Sequence, residues 1–170
     1  MSIKSQTIYC ICQLLTKVIN LHWQLVYINF RYRYQMADSF VFNGHHILLY
    51  GEGDIICGEN SYIGDNSTLH AAKGYKLLIG DGCQISSNVR VFTQTALANA
   101  DFSRKPVPSK FGNVEIGKYC WIGANVLINP GITIGENSVI GANSVVSKDI
   151  PAGEIWGGVP ARIIRKKPLL

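Results

Sequence analysis

Two groups of side chains in this sequence could support proton transfer or phosphate binding. A histidine imidazole accepts protons near neutral pH, and the chain has four: His22, His45, His46 and His70. Basic residues are concentrated at the C-terminus, where four fall within the last nine positions: Arg162, Arg165, Lys166 and Lys167. Such a cluster can bind phosphate groups, so a phosphate-bearing ligand is one reading of this tail.

Composition narrows the classes of protein that remain. The 170 residues carry a net charge of +5, yet no nucleic-acid motif and no aromatic–basic interleaving is recognisable, so we expect no nucleic-acid partner. Hydrophobic residues make up 47% and charged residues only 16%. This low charge content indicates that other subunits cover much of the surface.

The five cysteines show no disulfide or zinc spacing. Three of them, Cys57, Cys83 and Cys120, stand at the same position of a repeated pattern described below. We therefore expect buried, reduced thiols in a cytosolic protein. No pair of histidines resembles a metal site, so no metal is expected.

A six-residue repeat is the strongest structural signal in the chain. Between residues 116 and 146 an aliphatic residue returns at every sixth position: Ile116, Ile122, Ile128, Ile134, Ile140 and Val146. This period fits neither a helix nor one alternating strand, but it fits a short strand followed by a turn. Three such units make an 18-residue coil in which each aliphatic points inward. Ile116 should then stack on Ile134, Ile122 on Ile140 and Ile128 on Val146, about 4.8 Å apart along the axis.

The motifs around this repeat resemble those of the hexapeptide-repeat acyltransferase superfamily. The runs CWIGAN, IGANSVVSKDIPAG and GVPAR are similar to the family's C-terminal signature, in particular to the maltose, galactoside and polysaccharide O-acetyltransferase branch. The resemblance covers roughly residues 41 to 167. It implies a mainly β fold, a left-handed parallel β-helix, and this handedness comes from the resemblance alone.

The resemblance also implies a catalytic histidine that this chain lacks. Family members often read Tyr/Phe-Thr-x-x-His before a segment that ends in Asp-Phe, and here Phe92-Thr-Gln-Thr95-Ala96 precedes Asp101-Phe102. Ala96 therefore stands where the general base is expected, which would cost ~10²–10⁴-fold in rate. Three interpretations stay open: a deliberate histidine-to-alanine change made to trap ligands, a naturally inactive homologue, or another histidine as base. His70 is the best candidate for the third.

Cofactor and acceptor residues follow from the same resemblance, which implies acetyl-CoA in the groove between two β-helices of a homotrimer. The implied cofactor-binding residues are Trp121, Ala124, Ala142, Ser147, Lys148, Arg162 and Arg165. Ala124 and Ala142 match positions that meet the pantetheine amides, and the two arginines match residues that pair with the 3′-phosphate. The acceptor would be held by His70, Thr95 and Trp121.

The parts of the chain outside the repeat are predicted as a cap, an excursion and a tail. We divide the chain into an N-terminal cap segment, 1–40, and a β-helix domain with its tail, 41–170. Within the cap we expect a helix from about residue 5 to 20, an extended piece around 25–34, and packing across the open end of the β-helix. Contact with a membrane is the alternative for this segment and is not expected. Residues 97–113 form an excursion that helps wall the site, and the chain leaves the coils after Pro151 as a basic tail.

These observations predict an acetyl-CoA-dependent O-acetyltransferase that modifies a sugar or surface polysaccharide in the cytoplasm and lacks its base. One alternative is an N-acetyltransferase acting on a nucleotide-linked amino sugar or an antibiotic. The other is a non-catalytic trimeric scaffold that binds CoA or a glycan. The sequence names neither the acceptor nor the group modified on it.

Overall fold

The computed structural model describes residues 3–168 and divides into two compact units, Met1–Arg33 and Tyr34–Leu170. The first unit contains one helix, α1 (Ile3–Arg33). The expectation of a helix ending near residue 20 and an extended piece at 25–34 is wrong. No glycine occurs before Gly44 and no proline before Pro106, so nothing in the segment breaks the helix. No helix among the described residues is long and apolar enough to cross a membrane.

The second unit consists almost entirely of short strands. Nine precede the excursion: β1 (Gln35–Met36), β2 (Val41–Asn43), β3 (Leu48–Tyr50), β4 (Asp54–Cys57), β5 (Tyr62–Gly64), β6 (Thr68–His70), β7 (Lys76–Ile79), β8 (Gln84–Ile85) and β9 (Arg90–Phe92). Two belong to it: β10 (Gln94–Ala96) and β11 (Ser109–Phe111). Eight follow it: β12 (Val114–Ile116), β13 (Trp121–Ile122), β14 (Leu127–Ile128), β15 (Thr133–Ile134), β16 (Val139–Ile140), β17 (Val145–Val146), β18 (Glu154–Gly157) and β19 (Arg162–Lys166).

Successive strands of each coil belong to successive faces of a three-sided β-helix. Face 1 has the order β1-β4-β7-β12-β15, and face 3 has the order β17-β14-β9-β6-β3. Face 2 has the order β19-β18-β16-β13-β8-β5-β2, in which only the β18–β19 pair is antiparallel. The predicted mainly β class and parallel β-helix are therefore confirmed. We call the corners between faces edge 1/2, edge 2/3 and edge 3/1.

The inward aliphatic residues form the core, as the repeat predicts. Ile116 pairs with Ile134, Ile122 with Ile140 and Ile128 with Val146. All six side chains are completely buried. Cys57, Cys83 and Cys120 are also buried, with free thiols, so the predicted burial of these three cysteines is confirmed, whereas Cys10 and Cys12 on α1 are exposed.

Tight turns at the edges let the coils lie one strand spacing apart. At edge 2/3 the chain turns through asparagines with left-handed backbone angles, φ between 57° and 60°: Asn66, Asn88, Asn125 and Asn143. Asparagine tolerates this conformation better than most residues. The glycine that follows an aliphatic residue of the repeat is there because the next coil lies too close for a side chain. A Cβ on Gly123, for example, would lie 2.6 Å from the Ala142 nitrogen.

The C-terminal segment stays on the β-helix longer than expected. Strand β18 pairs in parallel with β16 and adds a further rung to face 2, so the prediction that the chain leaves the coils after Pro151 is wrong. Gly153 (φ 71°) makes the turn that allows this. The predicted basic tail then folds back as β19, antiparallel to β18, and its last two residues lie outside the described range. Buried Glu154 accepts a hydrogen bond from the Trp156 indole and pairs with Lys166 at 3.7 Å.

A matched pair of substitutions tests the stacked core. Ile134 is completely buried, whereas Ile164 on β19 is 65% exposed. Ile134→Ala should lower the free energy of unfolding by about 2–5 kcal/mol through lost burial and a residual cavity. Ile164→Ala should change it by under about 1 kcal/mol. Chemical denaturation followed by circular dichroism measures both, and equal effects would contradict the assignment of the core.

Candidate functional site

The excursion is a β-hairpin anchored to the coils at edge 3/1. Its strands β10 and β11 pair antiparallel, and a loop of residues 97–108 joins them. At the root, the Thr93 carbonyl accepts a hydrogen bond from Gly112 N–H at 3.0 Å. The buried Thr93 hydroxyl accepts another from Ala72 N–H at 2.8 Å. These bonds fix the point at which the hairpin leaves the coil below it.

Ala96 ends the outgoing strand of this hairpin. It lies opposite Ser109, and both Ala96 and the preceding Thr95 are exposed. Side chains two residues apart on a strand point to the same side, so Ala96 shares its side of the hairpin with Gln94. Ala96 offers only a methyl group there, and an exposed position has room for a larger side chain.

His70 lies beside the hairpin root in a column of aromatic rings on face 3. Its ring is 4.7 Å from that of Tyr50 and 6.2 Å from that of Phe92, which occupy the equivalent positions of the coils before and after it. Burial lowers the pKa of His70 from its ordinary value of 6.5, because desolvation disfavours the imidazolium. His70 is therefore neutral at physiological pH and can accept a proton or a hydrogen bond.

An open pocket of about 440 Å³ connects these groups at edge 3/1. Its lining comes from two coils and the hairpin: Gly51, Glu52, His70, Ala72, Lys73, Gln94 and Phe111. Glu52 and Lys73 form an exposed ion pair at 3.8 Å, and the Phe111 ring stacks on Tyr75 at 5.2 Å. The pocket thus combines aromatic surface, a neutral imidazole and both signs of charge.

The two alanines assigned to the pantetheine arm lie along edge 2/3. Ala124 joins β13 to β14, and Ala142 joins β16 to β17 one coil later. The Ala124 carbonyl accepts a hydrogen bond from Asn143 N–H at 2.8 Å, which places the two turns one above the other. Ala124 is half-buried and Ala142 is exposed. Small side chains therefore leave the backbone of this edge open to a narrow ligand.

Hydrogen-bonded asparagines run beside these alanines and were not singled out from the sequence. Asn88 donates its amide to Asn125 at 2.8 Å, and Asn125 donates to Asn143 at 2.9 Å. The sequence pattern that could have identified them is the recurrence of asparagine three positions after the repeat's aliphatic residue. These bonds hold the polar side chains in line along edge 2/3.

The two arginines lie on the exposed strand β19 on face 2. Arg162 pairs with Gly157, and the next residue, Gly158, donates to the Ser144 hydroxyl at 3.0 Å in the turn that contains Ala142. The Arg162 position is therefore near the C-terminal end of edge 2/3. Arg165 pairs with Ile155, farther back along face 2. Trp121 also lies on face 2, and about half of its surface is exposed.

The remaining predicted residues lie at a different edge. Ser147 and Lys148 follow β17, so they are at edge 3/1 with His70, Thr95 and Ala96. The five residues from Ala142 to Ser147 cross face 3, which spans about 16 Å. One protomer therefore holds the two alanines and the residues around His70 in two groups, separated by the width of a face. Ser147 and Lys148 lie three coils along edge 3/1 from His70.

No group of three His, Cys, Asp or Glu side chains in the described part of the chain could hold a metal ion. His45 and His46 lie near edge 2/3, away from the pocket at edge 3/1, and His22 is on α1. Among the histidines, His70 alone lines that pocket.

Comparison with known proteins identifies the family. The bacterial transferase hexapeptide (six repeats) model matches residues 113–148. Galactoside O-acetyltransferase of Escherichia coli (strain K12) is 40% identical over 113 residues, which are 66% of this chain and 54% of that protein. A maltose O-acetyltransferase structure from Clostridium difficile 630 is 34% identical, with a TM-score of 0.61, over 77% of this chain and 72% of that one. A hexapeptide-repeat-containing acetyltransferase of Vibrio cholerae O1 biovar eltor, solved with acetyl-coenzyme A, is 31% identical, with a TM-score of 0.61. The match covers 76% of this chain and 72% of that one.

The chain therefore belongs to the hexapeptide-repeat transferase family, and the predicted resemblance is confirmed. It spans about half the length of the curated relatives it matches.

The pKa of His70 gives a direct test of the pocket. NMR titration of the imidazole should give a pKa below 6.5 for His70. Tyr50→Ala should raise this pKa, because water would then reach the ring. Tyr32→Ala, at an 88% exposed position on α1, is the control and should leave it unchanged. Because folding weakens proton binding here, the contribution of His70 to stability is full above pH 6.5 and declines as the pH falls. A His70 pKa at or above 6.5 would show that packing between Tyr50 and Phe92 does not desolvate the imidazole.

Proposed function

We propose that this protein is an acetyl-CoA-dependent acetyltransferase that acts on a sugar hydroxyl, in a form that lacks its general base. The observation that carries the proposal is the placement of an open small-residue edge and an aromatic pocket on the two margins of one face. The galactoside and maltose O-acetyltransferases among its relatives support the choice of a sugar acceptor. The buried free thiols fit a reducing compartment such as the cytoplasm.

Edge 2/3 has the features that a pantetheine arm requires. Ala124 and Ala142 leave backbone groups accessible one coil apart, and Arg162 near the end of the same edge offers a planar donor for phosphate oxygens. Bound acetyl-CoA would supply the acetyl group as an activated thioester. A backbone N–H of this edge would stabilise the oxyanion that forms on the acetyl carbonyl.

Edge 3/1 has the features that a sugar acceptor requires. Tyr50, Phe92 and Phe111 offer apolar ring surfaces, and the neutral His70 offers a nitrogen that can accept a hydrogen bond from a hydroxyl. Gln94 on the hairpin adds a polar group at the rim, whereas Thr95 lies on the opposite side of β10. We assign His70 to binding and orienting the acceptor.

A full site needs edges from two protomers. The two groups of residues in one chain are separated by face 3, so neither edge alone holds donor and acceptor together. In a homotrimer, edge 3/1 of one protomer can face edge 2/3 of its neighbour. Trp121, exposed on face 2, and Ser147 and Lys148, at edge 3/1, would then line the same cleft.

Position 96 is where the proton of the sugar hydroxyl should be accepted. A histidine there would share the side of the hairpin that Gln94 occupies beside His70, and it could pass the proton to the departing thiolate. The methyl group of Ala96 cannot accept a proton, so the chain as it stands should bind both substrates and transfer slowly. No covalent acyl-enzyme is required, since the hydroxyl oxygen attacks the thioester directly.

The same alanine favours a second candidate, a trimeric protein that binds CoA or a glycan without turnover. Its edges and pocket would be unchanged, and only the catalytic step would be missing. The two functions therefore differ in whether a base at position 96 restores chemistry.

Ala96→His should raise the rate of CoA release from acetyl-CoA by roughly 10²–10⁴-fold with a suitable sugar, because a general base contributes about that much. A thiol-trapping assay with a panel of galactosides, maltose and amino sugars measures it. Ala98→His adds the same imidazole at another exposed position, beyond the end of β10, and should have no effect. An inactive Ala96→His variant that still binds CoA would favour the binding protein, and acetylation of the amino sugars alone would favour N-transfer.

Arg162→Ala should weaken CoA binding by about ten- to a hundred-fold, since a hydrogen bond to a charged group contributes roughly 1.5–3 kcal/mol. Affinity for dephospho-CoA, which lacks the 3′-phosphate, should change little. Arg104→Ala, which removes an exposed arginine paired with Asp101 in the hairpin loop, is the control. Isothermal titration calorimetry measures the affinity of all three proteins for CoA and for dephospho-CoA. Equal losses of affinity for the two ligands would show that Arg162 does not contact the 3′-phosphate.

A further inference from the structure

The N-terminal segment has a charge balance unlike that of the rest of the chain. The first 37 residues contain four basic residues, Lys4, Lys17, Arg31 and Arg33, and no aspartate or glutamate. The remaining 133 residues contain 12 basic and 11 acidic residues, so they are close to neutral. Almost all of the net positive charge is therefore carried by the segment that forms α1.

The surface of α1 is apolar around most of its circumference. Between residues 8 and 21 the polar side chains share one stripe about 100° wide, since they are spaced three, four and seven residues apart: Gln13, Thr16, Lys17 and Asn20. The rest of this stretch carries large aliphatic side chains that are 50–63% exposed: Ile8, Ile11, Leu14, Leu15, Val18, Ile19 and Leu21. A continuous apolar surface of this kind marks an interaction site.

The width of this surface indicates what covers it. A helix that packs on a protein core or in a bundle presents an apolar stripe somewhat over 100° wide and keeps the rest polar. Along residues 8–21 of α1 the proportions are reversed, with about 260° of the circumference apolar and about 100° polar. A neighbouring helix or sheet covers one side of a helix, whereas lipid acyl chains can surround an apolar surface of any width.

We propose that α1 lies in the surface of an anionic lipid bilayer, with the stripe that contains Lys17 toward the headgroups. Three observations carry this inference: the exposed aliphatic residues, the positive charge without any acidic residue, and the absence of a membrane-spanning helix among the described residues. At 31 residues the helix is about 46 Å long. Of the basic residues, Lys17 and Arg31 lie on the polar side of the helix. A helix with an exposed apolar surface and cations on its polar side can lie in the interfacial plane of a membrane.

Flotation of the full-length protein with lipid vesicles tests this proposal. Vesicles of phosphatidylcholine alone are compared with vesicles that contain about one third phosphatidylglycerol, which carry a negative surface potential. The protein should float with the anionic vesicles and much less with the neutral ones. Added salt at about 1 M, where the Debye length is ~3 Å, should release a large part of it.

Two glutamate substitutions at adjacent positions separate burial in lipid from charge alone. Leu14→Glu places a carboxylate on the apolar surface and should reduce the floated fraction about ten-fold or more. Gln13→Glu changes the net charge equally but lies on the polar stripe, so most of the protein should still float. Leu14→Gln, which adds no charge, should also lose binding. The helical circular dichroism signal must be retained for each variant.

Three results would overturn the proposal. The first is a wild-type protein that does not float with anionic vesicles. The second is an equal loss of the floated fraction for Gln13→Glu and Leu14→Glu, which would show that the interaction depends on charge alone. The third is a Leu14→Gln variant that floats normally but has a different mass by light scattering, which would show that copies of the chain cover this surface.

Discussion

Stacking of inward aliphatic side chains, each on its equivalent one coil away, is the contact on which the rest of the β-helix depends. Ile116, Ile122 and Ile128 each pair in register with the residue 18 positions later and are sealed from water. Because side chains alternate between the two sides of a strand, this inward register also fixes which residues point outward. A slip by one residue would reverse the core and the surface together.

The coil geometry then distributes function to edges instead of to one concave cavity. Small residues recur at edge 2/3 because the turn and the close coil above it exclude larger ones, as Gly123 shows. Edge 3/1 is where the chain departs into the hairpin, and the aromatic pocket with His70 lies there. Since face 3 lies between the two edges, the donor and acceptor groups that we propose would meet only when two chains associate. The trimer we propose is thus a requirement of the site as well as a means of covering surface.

Sequence reasoning predicted the features that depend on local period and missed those that depend on long-range assembly. The stacked pairs and the buried cysteines follow from counting six residues, whereas the excursion, predicted from residue 97, already begins with β10 at Gln94. The aromatic column could not be read this way, because Tyr50, His70 and Phe92 come from three coils separated by 20 and 22 positions. The length of α1 was missed because residues 21–33 are rich in aromatic and β-branched residues, which are typical of strands, although no glycine or proline breaks the helix there. The rung formed by β18 was missed because a proline was taken as the end of the coils.

Complementation between two variants tests the shared site most directly. One chain carries Ala96→His, which supplies a base at edge 3/1, and Ala142→Trp, which obstructs edge 2/3; the other is the unmodified chain, whose edge 2/3 is open. Neither should transfer acetyl groups well alone, with the Ala96→His single variant as the active reference. If each site is built from two chains, co-assembled mixtures should gain activity well above the sum of the two. A mixture no more active than that sum, in verified mixed assemblies, would contradict a site built from two chains.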